Sequence, residues 1–520
     1  MSVRREIGKL LVAGEVVGGV GRIEDQPLLT AALEAGEVGG FYLGYPHFLG
    51  PEEARRTVDK LQSYSPLHLF IAADFESGPG YNCAAGCAHF PYLMGLGAID
   101  DVEVTRRVGE VTGRQALAMG INWLFSPCVD VNLRADNPII GIRSFGEDTT
   151  RVAAMGAAYV RGCAEGGVLC TAKHFPGTGN TVADTHVGVA QDVGDLATWE
   201  EKTLPPFEAA IRAGVPTVMT GHAAMPFLDD GVLPATFSRR VLDGILRERM
   251  GFRGVVISDH LGMGGAAAQI PLTERCVRAF EAGCDMLLTP FTPDVVPAFE
   301  EALRTGRFTE KRLRASIERV EAARRRIAGV ECGAISAQDQ AFAFEVGRRS
   351  GRVQKGTARL PVRPGEFGII TQWRDDEAQY FPREPGVLSR LQHSIRAVDP
   401  AAPVVNVSRA CPPETHAQAM EALSGVRRVV FCAIVKHYAA DPYRGGLSAG
   451  TVRLLRTLAQ RGHEVVLAIL GSPYVCGQVQ EAAVAVWAGG DTEGCAAGAL
   501  EALFGQPVAD RPSSTRDGRG

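Results

Sequence analysis

Residues 171–190 read TAKHFPGTGNTVADTHVGVA and place Lys173, His174, Asp184 and His186 in one short segment. Each residue type has a chemical use. A Lys and a His at the end of an apolar run can give charge-assisted hydrogen bonds to the hydroxyls of a small polar ring. An Asp beside a His can hold the imidazole tautomer and stabilise its charged form, which makes the pair a proton shuttle. Similar groups follow other apolar runs: Asp74 and Glu76 in ADFESG, Asp130 in CVDV, Arg143 in GIRSF, His222 in TGHA, and Asp259 with His260 in SDHLG. An Asp at such a place can be a nucleophile toward a sugar C1.

The apolar runs that carry these residues are 10–17, 40–45, 69–74, 121–131, 167–175, 215–223, 254–262 and 284–290. Continuous apolar runs bounded by turn residues suit strands buried on both faces of a parallel sheet. Helical stretches lie between them. PEEARRTVDKLQ (51–62) begins with Pro, and 103–120, 149–167 and 238–251 each end in Gly, ordinary helix-boundary signals. Eight strands alternating with helices predict a (β/α)8 TIM-type barrel over residues 1–330, with its chemistry at the C-terminal ends of the strands. The polar residues fall at that end. A doubly wound sheet is the competing fold, but no Gly-x-Gly-x-x-Gly follows the first strand and no phosphate loop appears, so nucleotide binding is not favoured.

From about 307 to 355 the pattern is helical and rich in Arg, read as a bridging helix pair with a solvated basic face; residues 331–360 are the linker. A second α/β pattern, with runs at 367–373, 403–408, 427–435, 464–472 and 483–490, predicts a smaller open-sheet (sandwich) domain over 361–510. The tail 511–520 is expected to be disordered.

A net charge of −5 with interspersed signs implies no nucleic-acid surface. No uninterrupted apolar run reaches the roughly 20 residues that a bilayer span takes, and Glu15 interrupts the apolar stretch near the N-terminus. The expectation is a cytoplasmic protein with no membrane partner. The 12 cysteines are scattered, which favours free thiols; Cys83 and Cys87 make only half of a structural zinc site. No cofactor is expected, and the composition does not give an oligomeric state.

Six segments together resemble the family 3 glycoside hydrolases, in their β-N-acetylglucosaminidase branch: ADFESG (73–78), IIGIRSFGED (139–148), AKHFPGTGNTVADTH (172–186), VMTGHAAMP (218–226), LRERMGFRGVVISDHLGM (246–263) and AGCDMLL (282–288). LGSPY (470–474) through AGALEALFG (497–505) resembles the family's second domain. The resemblance implies a retaining, exo-acting β-N-acetylhexosaminidase that takes terminal N-acetylglucosamine from peptidoglycan- or chitin-derived fragments. By the family pattern Asp259 would form the glycosyl intermediate, His186 would be the acid/base and Asp184 its orienting partner. Asp74, Arg143, Lys173 and His174 would hold sugar hydroxyls, with His222 as a further substrate contact. A β-glucosidase, a specialised amino-sugar glycosidase and a phosphorylase are alternatives within the family. A metal-dependent amidohydrolase using His174, His186, His222, Asp259 and His260 is the alternative outside it. Three places depart from the pattern: Thr178 and His260 stand where the family commonly has His and Asp, and 76–91 replaces a more usual Glu-Gly-Gly-Arg stretch.

Overall fold

The computed structural model describes residues 2–14, 26–44, 48, 50–83, 85–229, 233–266, 269–330, 333–363, 365, 367–373, 385–436, 441, 443 and 445–505. The tail expected to be disordered lies outside the described residues. Two compact units divide the chain: residues 1–343 with 437–445, and residues 344–436 with 446–520. Among the described residues no helix is long and apolar enough to cross a membrane.

The first unit contains strands β1 (Leu11–Gly14), β2 (Gly40–Tyr42), β3 (Phe70–Ala73), β4 (Trp123–Leu124), β5 (Leu169–Phe175), β6 (Thr217–Thr220), β7 (Val255–Ile257) and β8 (Leu287–Pro290). All pair in parallel, in the order β7-β6-β5-β4-β3-β2-β1-β8. A parallel bridge from Ile257 to Met286 joins the two ends, so the sheet is a nearly closed barrel with helices between its strands. The apolar runs are continuous because neither face meets water; every residue of β1, β3, β5, β6 and β7 is buried.

The barrel interior is filled by side chains. Trp123 donates from Nε1 to Thr171 Oγ1 (2.8 Å) and Thr217 Oγ1 (3.1 Å), and its ring meets Phe70 and Phe125 edge-on at 5.3 and 5.2 Å. β4 has only two ladder residues because the chain reaches Pro127, which has no N–H to give. It still runs beside β5, through Thr171 N–H to Ser126 O and Val129 N–H to Lys173 O, both 2.9 Å.

The expected helices form. Asp101 accepts from the N–H groups of Glu103 and Val104 to cap Val102–Ala118, and Asp148 accepts from Arg151 N–H to cap Thr149–Glu165. Arg240–Arg249 takes the wider π winding instead of a regular α-helix.

The second unit holds β9 (Arg352–Lys355), β10 (Phe367–Trp373), β11 (Val404–Ser408), β12 (Arg428–Val435), β13 (Glu464–Gly471) and β14 (Val484–Ala488). Their order is β11-β10-β12-β13-β14-β9, with β9 antiparallel to β14 and the other pairs parallel. Ile369, Val430, Val466 and Val486 lie in the core under helix Glu493–Phe504. β9 corrects the helical reading of 307–355. Helices Glu310–Ile327 and Ala337–Arg349 form, but the chain then turns at Ser350-Gly351 into an edge strand. Arg352, Gln354 and Lys355 are exposed there and Val353 is half-buried. Charged side chains suit an edge, where they discourage pairing with another chain.

Candidate active site

The C-terminal ends of β3, β4 and β5 build a buried ionic cluster. Lys173, only 2% exposed, places Nζ 2.5 Å from Asp74 Oδ1 and 2.7 Å from Glu76 Oε1. Arg143, from the loop after β4, grips Glu76 with two parallel bonds, Nε to Oε2 at 2.9 Å and Nη2 to Oε1 at 2.7 Å. Tyr42, at the end of β2, donates its hydroxyl to Asp74 Oδ2 at 2.6 Å. Burial works against the Glu76 carboxylate, but Arg143 and Lys173 outweigh it and hold its pKa well below the usual range. Burial likewise opposes the charge on Lys173, yet the facing carboxylates push its pKa up. Glu76, Lys173 and Arg143 therefore stay charged at neutral pH, and part of the Asp74 carboxylate faces solvent.

His174 is fixed from behind. Asp130, fully buried, accepts from His174 N–H (3.0 Å) and lies 2.8 Å from His174 Nδ1; its other oxygen accepts from Thr178 N–H at 2.7 Å. His174 Nε2 faces Arg143 Nη2 at 3.3 Å. Arg can only donate and a carboxylate can only accept, so these partners assign the tautomer with its proton on Nδ1.

Cys128, Asp130 and His174 are the group among the described residues whose ligand atoms lie close enough to hold a metal ion. They do not suit one. The Arg143 guanidinium stands against the open nitrogen of His174, and burial pushes the Cys128 thiol up, so it stays protonated. The five groups of the amidohydrolase alternative do not form a metal-holding group among the described residues.

Asp184 and His186 lie in the loop after β5. Asp184 Oδ1 accepts from His186 N–H and from Nδ1, both at 2.8 Å, which leaves His186 Nε2 to reach outward. This loop docks on the segment that follows β7: Gly264 N–H donates to His186 O (3.1 Å) and Gly265 N–H to Thr185 O (2.8 Å). The approach requires glycine, since a Cβ on Gly264 or Gly265 would stand 2.4 or 2.5 Å from a carbonyl of residues 185–188.

That same segment starts at Asp259, two residues past β7. Asp259 Oδ1 accepts from His260 N–H at 2.7 Å. Burial would raise its pKa, but His222, His174, the His260 N–H and His186 outweigh it and bring the value down to about 2. His186 is thus near enough for its charge to act on Asp259.

His222 is not placed as a substrate contact. It is wholly buried, with Nδ1 2.8 Å from Thr236 Oγ1 and Nε2 3.1 Å from the His260 carbonyl. Burial lowers its pKa, and a neutral ring donating from Nε2 steadies the backbone beside Asp259. The His260 ring is partly exposed and turns toward β1, where a Cβ on Gly14 would stand 2.7 Å from it; burial lowers its pKa too.

The sequence singles out Glu76 and Asp130 but gives them no role in the site, and it does not single out Tyr42. Glu76 and Asp130 carried a signal, as carboxylates closing apolar runs. Tyr42 carried none, because its partner lies 32 residues away on the next strand. The arrangement offers a charged grip for hydroxyls, an ionised carboxylate, and an imidazole with its orienting carboxylate.

The description "Glycosyl hydrolase family 3 N terminal domain" matches residues 3–323. A "Beta-N-acetylglucosaminidase/beta-glucosidase" of Cellulomonas fimi is 36% identical over 280 residues, which cover 52% of this chain and 49% of that protein. A "Beta-hexosaminidase" of Neisseria meningitidis serogroup C is 34% identical over 288 residues, 54% of this chain and 78% of that protein. The chain thus spans about half the length of the first relative and over three quarters of the second. Among solved structures, a family 3 β-N-acetylglucosaminidase from Paenibacillus superposes with a TM-score of 0.85 at 24% identity, covering 98% of this chain and 97% of that one. A β-glucoside phosphorylase superposes with a TM-score of 0.81 at 22% identity, covering 97% and 92%. Both likenesses speak to the fold.

Proposed function

Because the chain belongs to glycosyl hydrolase family 3, we propose that it is a retaining, exo-acting β-N-acetylhexosaminidase that releases terminal N-acetylglucosamine. The observation that carries this reading is the Asp184–His186 pair, bonded through its loop backbone to the segment that begins at Asp259. Asp259 attacks the anomeric carbon with the carboxylate oxygen that His260 N–H leaves free, and a glycosyl ester forms. His186, charged and steadied by Asp184, gives its Nε2 proton to the departing oxygen. The neutral ring then takes a proton from water as that water attacks the ester, which frees Asp259 and restores the starting charge state. Asp74, Arg143, Lys173 and His174 hold the sugar hydroxyls.

The names of the two relatives support the acetamido sugar, and that of the Cellulomonas protein supports a β-glucoside as a second glycone. We propose peptidoglycan- or chitin-derived fragments as the source and the cytoplasm as the location. Free thiols at all eleven described cysteines, nine of them buried, suit a reducing compartment.

Initial rates on p-nitrophenyl β-N-acetylglucosaminide and β-glucoside test the glycone, and the acetamido sugar is expected to be faster. Added phosphate tests the acceptor. The product is expected to stay free N-acetylglucosamine; a sugar 1-phosphate would instead identify a phosphorylase. His186→Ala tests the proton donor. On a dinitrophenyl glycoside, whose leaving group needs no proton, kcat/KM should change less than about tenfold; on chitobiose it should fall about 10²–10⁴-fold. Equal losses on both would refute that role.

A further inference from the structure

Ten large hydrophobic side chains stand exposed among the described residues, and five of them, Val182, Val187, Val189, Val193 and Leu196, fall in the segment that carries Asp184 and His186. A sixth, Leu233, belongs to the same surface: Gln191 is bridged to Ala224, and Ala224 to Pro234. All six present apolar surface to solvent; Val187 is 70% exposed and Val193 53%. A local cluster of this kind marks a binding surface.

Backbone geometry fixes where the cluster lies. The N–H groups of Val187 and Gly188 both reach Asp184 O, at 3.1 and 3.3 Å, so Val187 turns off the dyad itself. Thr181 and Asp192 form an antiparallel bridge and are both buried; their neighbours Val182 and Val193 therefore point to the opposite, outer face. From 189 to 193 the side chains alternate exposed and buried, which puts Val189 and Val193 on one side. A proton donor must touch the oxygen that departs. Whatever that oxygen carries must then pass over the residues flanking His186, and those flanks present methyl groups.

We propose that the leaving-group side of the site is built for an apolar aglycone, an alkyl or aryl group, in preference to a second sugar. The inference rests on His186 as the proton donor and narrows the class of N-acetylglucosaminides that the protein favours.

The test is kcat/KM on methyl, butyl and hexyl β-N-acetylglucosaminides, whose leaving alcohols are nearly equally acidic, with chitobiose beside them. A fully covered methylene is worth about fourfold, so one covered on a single side is worth about twofold. The expected result is a rise of about tenfold or more from methyl to hexyl, with chitobiose below hexyl. In V187S/V189S the hexyl-to-methyl ratio should fall to about threefold or less. Both changes are on an exposed surface, and a ratio cancels any damage to the chemistry. A flat series, or a ratio unchanged in the double variant, overturns the proposal. If only the matching glucosides are cleaved, the glycone assignment fails, and the hexyl-to-methyl ratio on glucosides still decides the aglycone.

Discussion

Asp259→Ala should lower kcat on p-nitrophenyl β-N-acetylglucosaminide by about 10⁴-fold or more, the scale on which loss of a covalent nucleophile is felt, with little change in melting temperature. The carboxylate contributes attack, not packing. It is only partly buried, and among the described residues its hydrogen bond comes from the N–H of its neighbour His260. Its pKa of about 2 keeps it ionised across the working range, so loss of its charge should not give the rate an acid limb between pH 4 and 7. Azide separates attack from a structural role. In the space left by the alanine, azide should restore turnover and give an α-glycosyl azide, because it would enter from the face that Asp259 used. A variant as active as the wild type would remove Asp259 from the mechanism, and a β-azide product would mean that a group other than Asp259 had formed the glycosyl intermediate.

Lys173→Met should be the most destabilising single change in the site. The ammonium is buried and holds two carboxylates; without it Asp74 and Glu76 face each other with only Arg143 to balance them. Breaking a buried ion pair by removing one partner costs about 3–5 kcal/mol; the low end applies here, about 3 kcal/mol, because Asp74 keeps part of its surface in water. The pH dependence follows from the direction of the Glu76 shift. Its folded pKa lies below the unfolded value of about 4.3, so its contribution is full above that value and is lost as pH falls through the folded pKa. The stability gap between wild type and variant should therefore hold from about pH 6 down to about 4.5 and narrow only as pH falls further, read as urea midpoints at each pH. A constant gap would mean that packing of the Lys173 chain, and not its charge, sets the loss.

The barrel was legible in the sequence because a strand buried on both faces needs an unbroken apolar run, and eight such runs occur with helix boundaries between them. What misled were features set by neighbours. The run 121–131 looks like one long strand, but Pro127 ends its regular pairing after Leu124. The stretch RVQK follows two Arg-rich helices and shares their composition; it is a strand because β14 offers it an edge. The same division holds in the site. Asp259, His186 and Asp184 were visible as polar residues at turn-rich ends of apolar runs. His222 has the same local signature, and its inward role is set by Thr236 and the His260 carbonyl, which no local pattern links to it. Tyr42 reads as an ordinary aromatic of a strand until the parallel pairing of β2 with β3 brings its hydroxyl to Asp74.

Lys173, His174, Asp74 and Asp259 stand on or just past barrel strands, whereas Asp184 and His186 ride on a connection held by backbone bonds to Gly264 and Gly265. On the proposed roles, the sugar grip and the proton shuttle stand on separate parts of the barrel. A lineage could rewrite or exchange residues 176–195 by recombination and alter what departs and how it is protonated, without relearning which sugar to hold. Such a change in the connection would leave the strand ends in place, with the paired glycines as the fixed hinge-pin between them.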